Sequence, residues 1–580
     1  MVNYLRTYRD GAVQLCLSGT VHNLADLGPQ PDPASGTGPG GLSEADAATG
    51  AILCRGWRRW GPELADRLVG DHALIVTDDD SGTACLIRNA VGTRALYYRV
   101  DNGRVTAGFS VAEVRDAVPA AATVDETWVA RHLVHLSSDR EATAYREIRQ
   151  VPPGHLLIAE RGREPRLQAY HVWRNDAPQT TRRCSDWVDA YRAALTEAVR
   201  CRMPAAGPVA CENSGGVDAS AILCLLGTLV EDPASQLETL NRIFQAEEPY
   251  LTVLAAKAAG AERNTVYTSE NAISNDDASL LRVQALLGQP PEFMAGNRMF
   301  RFVEDCRDRN IGTLFSGFGG DEIVSNWGDL ERFALADRRQ YRTLCDVMPG
   351  GRVLQVLRAI RFLARPPQAP DHHAGNRHQI ARAWRRHILR DDLAAGLGLA
   401  EMAATSERFV RPARQTNDLI VDYHLSRHTN IAERTELYSA VAESCGVAYA
   451  WPLLDQRLIQ QFLSTPGIEK LGPGFVGRYL HRRAINGLVP DEITWRTGKG
   501  LGPAIGDPVG DRMVQQLHDH ARRHAADLHP LLAGMVDAEK LQHRIADLVE
   551  APRLSARWRI AEALLFRLRH LNLWLGQRPG

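Results

Sequence analysis

Two short apolar runs, Val209-Ala210-Cys211 and Gly312-Thr313-Leu314-Phe315, each lead into a loop of small residues that carries an acid. The first loop is Ser214-Gly215-Gly216-Val217-Asp218-Ala219-Ser220 and the second is Ser316-Gly317-Phe318-Gly319-Gly320-Asp321-Glu322. Around them, from about Cys184, helical and strand patterns alternate. Residues 187–201, 219–228 and 251–259 read as helices, and residues 237–244 and 265–267 as strands. That alternation is the mark of a parallel sheet covered on both faces. It restricts this part of the chain to a doubly wound α/β fold, whose ligands collect at the carboxyl ends of the strands. Beyond the second loop the chain reads as almost wholly helical, with loops at Pro366-Pro367 and Pro370.

The first 170 or so residues have a different pattern. Short alternating runs such as Ala73-Leu74-Ile75-Val76-Thr77 and Ala84-Cys85-Leu86-Ile87 are separated by turn signals such as Asp78-Asp79-Asp80-Ser81-Gly82, which predicts a strand-rich unit. Residues 28–41 are rich in Pro and Gly and read as a surface loop. Leu156-Leu157-Ile158 and Gln168-Ala169-Tyr170 predict a closing hairpin. With 580 residues the chain is long enough for two to four domains, and the change in pattern places the boundary near residue 175, giving 1–175 and 176–580.

Composition narrows the class. Lys plus Arg (68) and Asp plus Glu (69) nearly cancel, so charge gives no reason to expect a nucleic-acid or membrane partner. The ten cysteines lack CxxC pairs and the spacings of a zinc site or disulfide framework, and read as reduced thiols. The opening residues show no signal-peptide pattern, and the longest mostly apolar run, 219–230, falls short of a membrane span. A cytoplasmic protein is expected.

Chemically, a strand, a Ser-Gly-Gly turn and a helix form an anion cradle. Glycines allow backbone amides close approach, hydroxyls add donors, and the helix N-terminus contributes partial positive charge. Neither the nucleoside-triphosphate P-loop pattern nor the dinucleotide fingerprint is present. Alone, the turn reads equally as a helix cap. The second loop tips the balance, because at the ends of strands of one sheet the two can face a single pyrophosphate. Asp218 and Asp321 would then form a carboxylate pair suited to Mg2+.

These motifs resemble the asparagine synthetase class B family, whose synthetase domain carries an SGGxDS loop followed by an SGxGxDE loop. Three further stretches are similar to family elements: Arg88-Asn89-Ala90-Val91-Gly92-Thr93-Arg94-Ala95-Leu96-Tyr97-Tyr98, Val151-Pro152-Pro153-Gly154-His155 and Trp451-Pro452-Leu453-Leu454-Asp455. The resemblance implies a glutaminase-like α/β/β/α sandwich in 1–175 and an adenylating ATP-pyrophosphatase domain in 176–580. It also implies cleavage of ATP to AMP and pyrophosphate. Carried over by position, Ser214, Gly215, Gly216, Asp218 and Ser220 hold the pyrophosphate, Ser316 and Gly317 line the nucleotide, and the strand at Asn241 and Arg242 faces adenine. Trp495-Arg496-Thr497-Gly498-Lys499-Gly500 is similar to the family's late R-x-K stretch. It makes Lys499 the cation that offsets charge at the reacting phosphate and carbonyl.

Departures from the family pattern carry information as well. Its glutaminases use an N-terminal Cys once Met is removed, and here Val2 stands at that place. Valine has no nucleophilic atom, so an inactive, scaffolding first domain is expected. The second loop has Phe318 where β-lactam synthetases have a Tyr that belongs to a proton-relaying pair, and phenylalanine relays no proton. An amine that needs little help, such as a peptide α-amine with a pKa near 8, suits that site. The Glu that ammonia-using relatives place before the Pro is Ala448 here, with Glu443 nearby.

Among the family's subgroups the chain is most similar to lasso-peptide cyclases. The implied reaction joins a precursor peptide's N-terminal amine to an Asp or Glu side chain, with a leader-peptide-binding protein and a leader peptidase as partners. The alternatives are a β-lactam-type or intermolecular amide ligase and a non-catalytic binding member. The Arg- and His-rich stretch 352–390 reads as a solvated helix face, with contact to an acidic peptide as the rival reading; His372, His373 and His378 lack a second cluster to complete a metal site.

Overall fold

The computed structural model describes residues 5–29, 44–134, 139–242, 248–267, 276–292, 297–365, 387–402, 414–426, 430–496, 508–552 and 555–577. Among the described residues the N-terminal part contains nine strands: β1 Leu5–Asp10, β2 Val13–Val21, β3 Gly70–Asp78, β4 Thr83–Arg88, β5 Tyr97–Asp101, β6 Arg104–Gly108, β7 Ile148–Gln150, β8 His155–Glu160 and β9 Arg166–Ala169. Six of them form an antiparallel sheet in the order β1-β2-β3-β4-β8-β9, and three a second sheet in the order β6-β5-β7.

Period-two alternation sorts their side chains into layers. On β3 and β4, Leu74, Val76, Cys85 and Ile87 pack with Ile52, Leu53 and Trp57 of the helix Glu44–Trp60. Their neighbours Ala73 and Leu86 turn to the other face and meet Leu96, Tyr98 and Val151. On β5, Tyr97 turns away from Tyr98 and packs with Val111, Val129 and Leu133 of the helices Val111–Asp116 and Glu126–Val134. The layers are therefore helix, sheet, sheet, helix, as expected from the sequence. The predicted hairpin is the antiparallel pair β8 and β9. Most of the Pro- and Gly-rich stretch 28–41, and Val2, lie outside the described residues.

The second sheet region is parallel throughout. Strands β10 Val209–Glu212, β11 Leu237–Arg242, β12 Arg263–Tyr267, β13 Thr313–Phe315 and β14 Ala448–Ala450 run in the order β12-β11-β10-β13-β14. The chain builds outward from β10 through β11 to β12, then returns to the opposite side of β10 for β13. Strand order thus reverses between β10 and β13, where a doubly wound sheet opens its crevice. Both acid-bearing loops leave the sheet at that point. The fifth strand, β14, is the single strand among the described residues of the otherwise largely helical chain beyond the second loop. At three residues it is too short to show a period, and its pairing with β13 defines it. Many helices cover this sheet, among them Ser185–Arg200, Val217–Leu229 and Asn430–Ser444.

Among the described residues, buried ionic clamps join the N-terminal sandwich to the rest of the molecule, two of them centred on Arg202 and Arg88. Arg202 donates to Asp71 of β3 at 2.8 Å and to Asp455 at 2.7 Å. Fully buried Arg88 pairs with Glu436 on the helix Asn430–Ser444, and Gln150 and the Tyr97 hydroxyl donate to the same carboxylate at 2.9 and 3.3 Å. Hydrogen bonds to every part of such groups are what make their burial tolerable. Among the described residues no helix is long and apolar enough to cross a membrane.

Candidate active site

Because β10 and β13 are neighbours in the sheet, their loops interlock. The amide of Gly215 donates to the Asn213 side chain at 3.0 Å, and Asn213 in turn donates to the Thr252 carbonyl at 2.9 Å. The turn is thereby fixed, with Gly215 at φ +67°, a conformation that favours glycine. Gly216 caps the helix Val217–Leu229, whose N-terminus faces the cavity. A Cβ on Gly317 would lie 2.7 Å from the Ala219 amide nitrogen, and one on Gly320 would lie 2.6 Å from the Asp218 carboxylate. Only glycine lets the second loop press this closely against the first.

The loops enclose one end of a cavity of about 390 Å³, lined by Ser214, Gly215, Gly216, Asp218, Ser316, Gly317 and Asp321 among others. Of the other residues singled out from the sequence, Ser220 is fully buried behind the loop, where its hydroxyl has no hydrogen-bond partner. Arg242 ends β11, and its side chain lies outside the described residues, as does Lys499. Neighbouring Leu240 and Arg496 do line the cavity. The Ser316 hydroxyl donates to Glu212 at 2.6 Å, and the Tyr449 hydroxyl donates to the other Glu212 oxygen at 2.6 Å.

Asp218 and Asp321 are drawn together by Arg478. One guanidinium nitrogen donates to Asp218 at 2.8 Å, and another pairs with Asp321. Ser325 also donates to Asp218. Arg478 occupies the left-handed region at φ +57°, a placement that costs roughly 1–3 kcal/mol for a non-glycine residue. Its amide bond to the Trp327 carbonyl at 3.1 Å helps hold it there. Behind the pair sits His481, fully buried and bonded to the Tyr191 hydroxyl at 3.0 Å. Burial, reinforced by the Arg478 charge, lowers its pKa to about 3, so it is neutral at physiological pH. Arg478 carries no motif that sequence reading could have caught; its role depends on a fold that brings residue 478 beside residues 218 and 321.

The opposite wall is aromatic and cationic. Phe318 is buried edge-on against Trp451 at 5.9 Å, and the Arg434 guanidinium lies 4.0 Å from the centre of its ring. Tyr449 and Trp451 stack at 4.4 Å. Glu443 does not face this cavity; it pairs with Arg94 of the N-terminal part at 3.3 Å, and burial raises its pKa. The helix Arg352–Ala364, which contributes no residue to the cavity lining, exposes Val353, Leu354, Val356, Leu357, Ile360 and Leu363 as well as its arginines. The helix is thus a largely exposed face, in keeping with the solvated face expected, and it carries apolar side chains as well as charged ones. His372, His373 and His378 lie outside the described residues.

The asparagine synthase family model matches residues 190–575, and the glutamine amidotransferase domain model matches residues 7–171. Amidase chry2 of Gibberella zeae is 22% identical over 48% of this chain and 43% of its own length. Asparagine synthetase [glutamine-hydrolyzing] 3 of Bacillus subtilis is 21% identical over 43% of this chain and 39% of its own. The chain thus spans less than half the length of these curated relatives. A solved allosteric regulatory enzyme of purine biosynthesis overlays 45% of this chain and 61% of its own at 12% identity, with a TM-score of 0.19. With one family model covering most of the sequence, including both loops at the sheet's reversal point, the chain belongs to the asparagine synthase family, a domain type that points to ATP-dependent carbon–nitrogen ligases.

Proposed function

We propose that this protein is an AMP-forming amide ligase, and specifically a lasso-peptide macrolactam synthetase. In this reading it activates an Asp or Glu side chain of a precursor peptide and joins it to the peptide's own N-terminal amine. The observation that carries the ligase chemistry is the convergence of two glycine-rich loops and the Asp218–Arg478–Asp321 triad at the sheet's reversal point. The side-chain carboxylate attacks the α-phosphorus of ATP, and pyrophosphate leaves. The α-amine then attacks the acyl-adenylate carbonyl, AMP departs with the bonding pair, and the amine proton passes to solvent.

In this scheme the amides of the first loop and the helix N-terminus hold the pyrophosphate end. Ser316 and Gly317 border the nucleotide, with Arg242 toward adenine. Lys499, three residues beyond the cavity-lining Arg496, neutralises charge at the reacting phosphate. The all-oxygen carboxylate pair fits Mg2+, which Asp218 and Asp321 would hold, and the ion would supply neutralisation of the departing pyrophosphate. Arg478 keeps the two carboxylates together. A cleft that holds a folded peptide turns ring closure into a positioned intramolecular step. Phe318, which relays no proton, fits an α-amine that is already partly neutral.

A leader-peptide-binding protein and a leader peptidase complete this proposal, and a cytoplasmic location accords with it. The hydrogen-bonded Glu212–Tyr449 pair favours a second reading, an intermolecular or β-lactam-type ligase in which that pair accepts the amine's proton. Pyrophosphate release separates the two. A macrolactam synthetase releases it only with a peptide bearing an N-terminal Gly and a downstream acid, and mass spectrometry then shows the peptide lighter by one water. Release with small amino acids and no peptide dehydration would overturn the cyclase reading.

A further inference from the structure

Three of the cavity-lining arginines, Arg434, Arg478 and Arg482, are not equivalent. Arg478 is committed to Asp218 and Asp321. Arg482 donates to the Gly477, Thr494 and Arg496 carbonyls. Arg434 differs from both. Its guanidinium lies over the rings of Phe318, at 4.0 Å, and Tyr438, at 5.5 Å, and it has no hydrogen bond or ion pair with any described residue. It lines the same cavity as the loops and is only partly exposed.

Stacking on a ring engages the flat face of a guanidinium and leaves its in-plane N–H donors available. Those donors match a carboxylate, two parallel bonds to two oxygens. The position also favours this ligand over phosphate. The phosphate cradle is built from backbone amides and a helix N-terminus at Ser214–Val217, whereas Arg434 stands on a different element, above the aromatic side chain of the second loop.

We infer that Arg434 is the carboxylate-reading residue of the acyl-substrate subsite. It docks the acidic side chain to be activated and thereby makes the enzyme choose Asp or Glu over Asn or Gln. This deepens the amide-ligase reading and rests on it for the identity of the acyl group, though not on macrolactam formation. Phe318 acquires a role in the same step as the platform that holds the guanidinium flat. The helix carrying Arg434 is itself tied to the N-terminal sandwich two residues later, through Glu436 and Arg88.

The test uses probes that carry no amine, so that a failure of peptide cyclisation does not affect it. N-acetyl-aspartate and N-acetyl-glutamate N-methylamides are titrated against the full-length protein with Mg2+ and a non-cleavable ATP analogue, beside their asparagine and glutamine counterparts. The wild type is expected to prefer the acids by about tenfold or more, the scale of a charge-assisted hydrogen bond. In R434Q that preference should fall to near unity while affinity for the ATP analogue stays unchanged. R434K, which retains charge without the fork, should fall between them. The inference is overturned if R434Q keeps the acid preference, or if R434Q and R434K lose affinity for the ATP analogue, which would make Arg434 a phosphate cation.

Discussion

The two sides of the cavity are built on different principles. The floor, at Ser214–Ser220 and Ser316–Glu322, is mostly backbone, with glycines that let two loops touch and two acids that one arginine draws together. The wall, on the helix Asn430–Ser444 and the strand β14, is side chain, namely Arg434, Tyr438, Tyr449 and Trp451 in contact with Phe318. Under the proposed reading, the backbone floor would hold what the family's reactions share, a nucleotide's phosphates. A side-chain wall is free to vary with the acid and amine being joined. The helix of the wall is anchored from outside, by Arg88 at Glu436 and Arg94 at Glu443.

That division predicts separable defects. The largest belongs to the floor. D218N or D321N should lower the rate of pyrophosphate release by about 10²–10³-fold, the scale of losing one electrostatic contributor to a transition state. An equal loss from R434Q in the same assay would erase the distinction. R478Q sharpens it. With the shared cation gone the two carboxylates repel, and because Asp321 is partly exposed about 1.5–3 kcal/mol of stability should be lost by urea denaturation, the scale of a hydrogen bond to a charged group. Added Mg2+ is expected to restore part of that loss.

Next comes the anchoring of the wall. E436Q strands the Arg88 guanidinium, already pushed down to about 9 by burial. The KM for the acyl substrate should rise several-fold while the KM for ATP changes little, and an equal rise in both would show that the clamp serves the whole cavity. The smallest effect is in pH dependence. His481 has a folded pKa near 3, below its unfolded value of about 6.5. Between those values the unfolded chain binds the extra proton, so its contribution to stability is intact above pH 6.5 and is lost as pH falls toward 3. H481N should flatten the stability curve there by about 1.4 kcal/mol per pH unit.

Much of the floor was legible because its chemistry is local. A Ser-Gly-Gly turn after an apolar strand states where amides and a helix N-terminus will be, and the alternation of elements implies the sheet that joins two such turns. The same locality made the strand-rich character of the first part readable, and Ala73 and Leu74 face opposite layers because successive strand residues must; the layered sandwich itself was implied by the family resemblance. The three residues of β14 were not readable, since their strand character comes from pairing with β13. Glu443 was ambiguous for a related reason. Glu443 and Arg434 share one helix, and only the docking of Arg94 shows that Glu443 serves the N-terminal part and not the cavity.

By itself, then, the amino-acid sequence determined the class of sheet, the two glycine-rich loops at its carboxyl edge and the two acids that they carry. These follow from periodicity and from what glycine and a helix terminus can do within a few residues. Tertiary structure alone decided which cations meet those groups. Residues 218, 321 and 478 come together only across the sheet, and Arg434 reaches Phe318 only from a helix held in place by a different domain. Charge acts through space, over distances that separation along the chain does not measure.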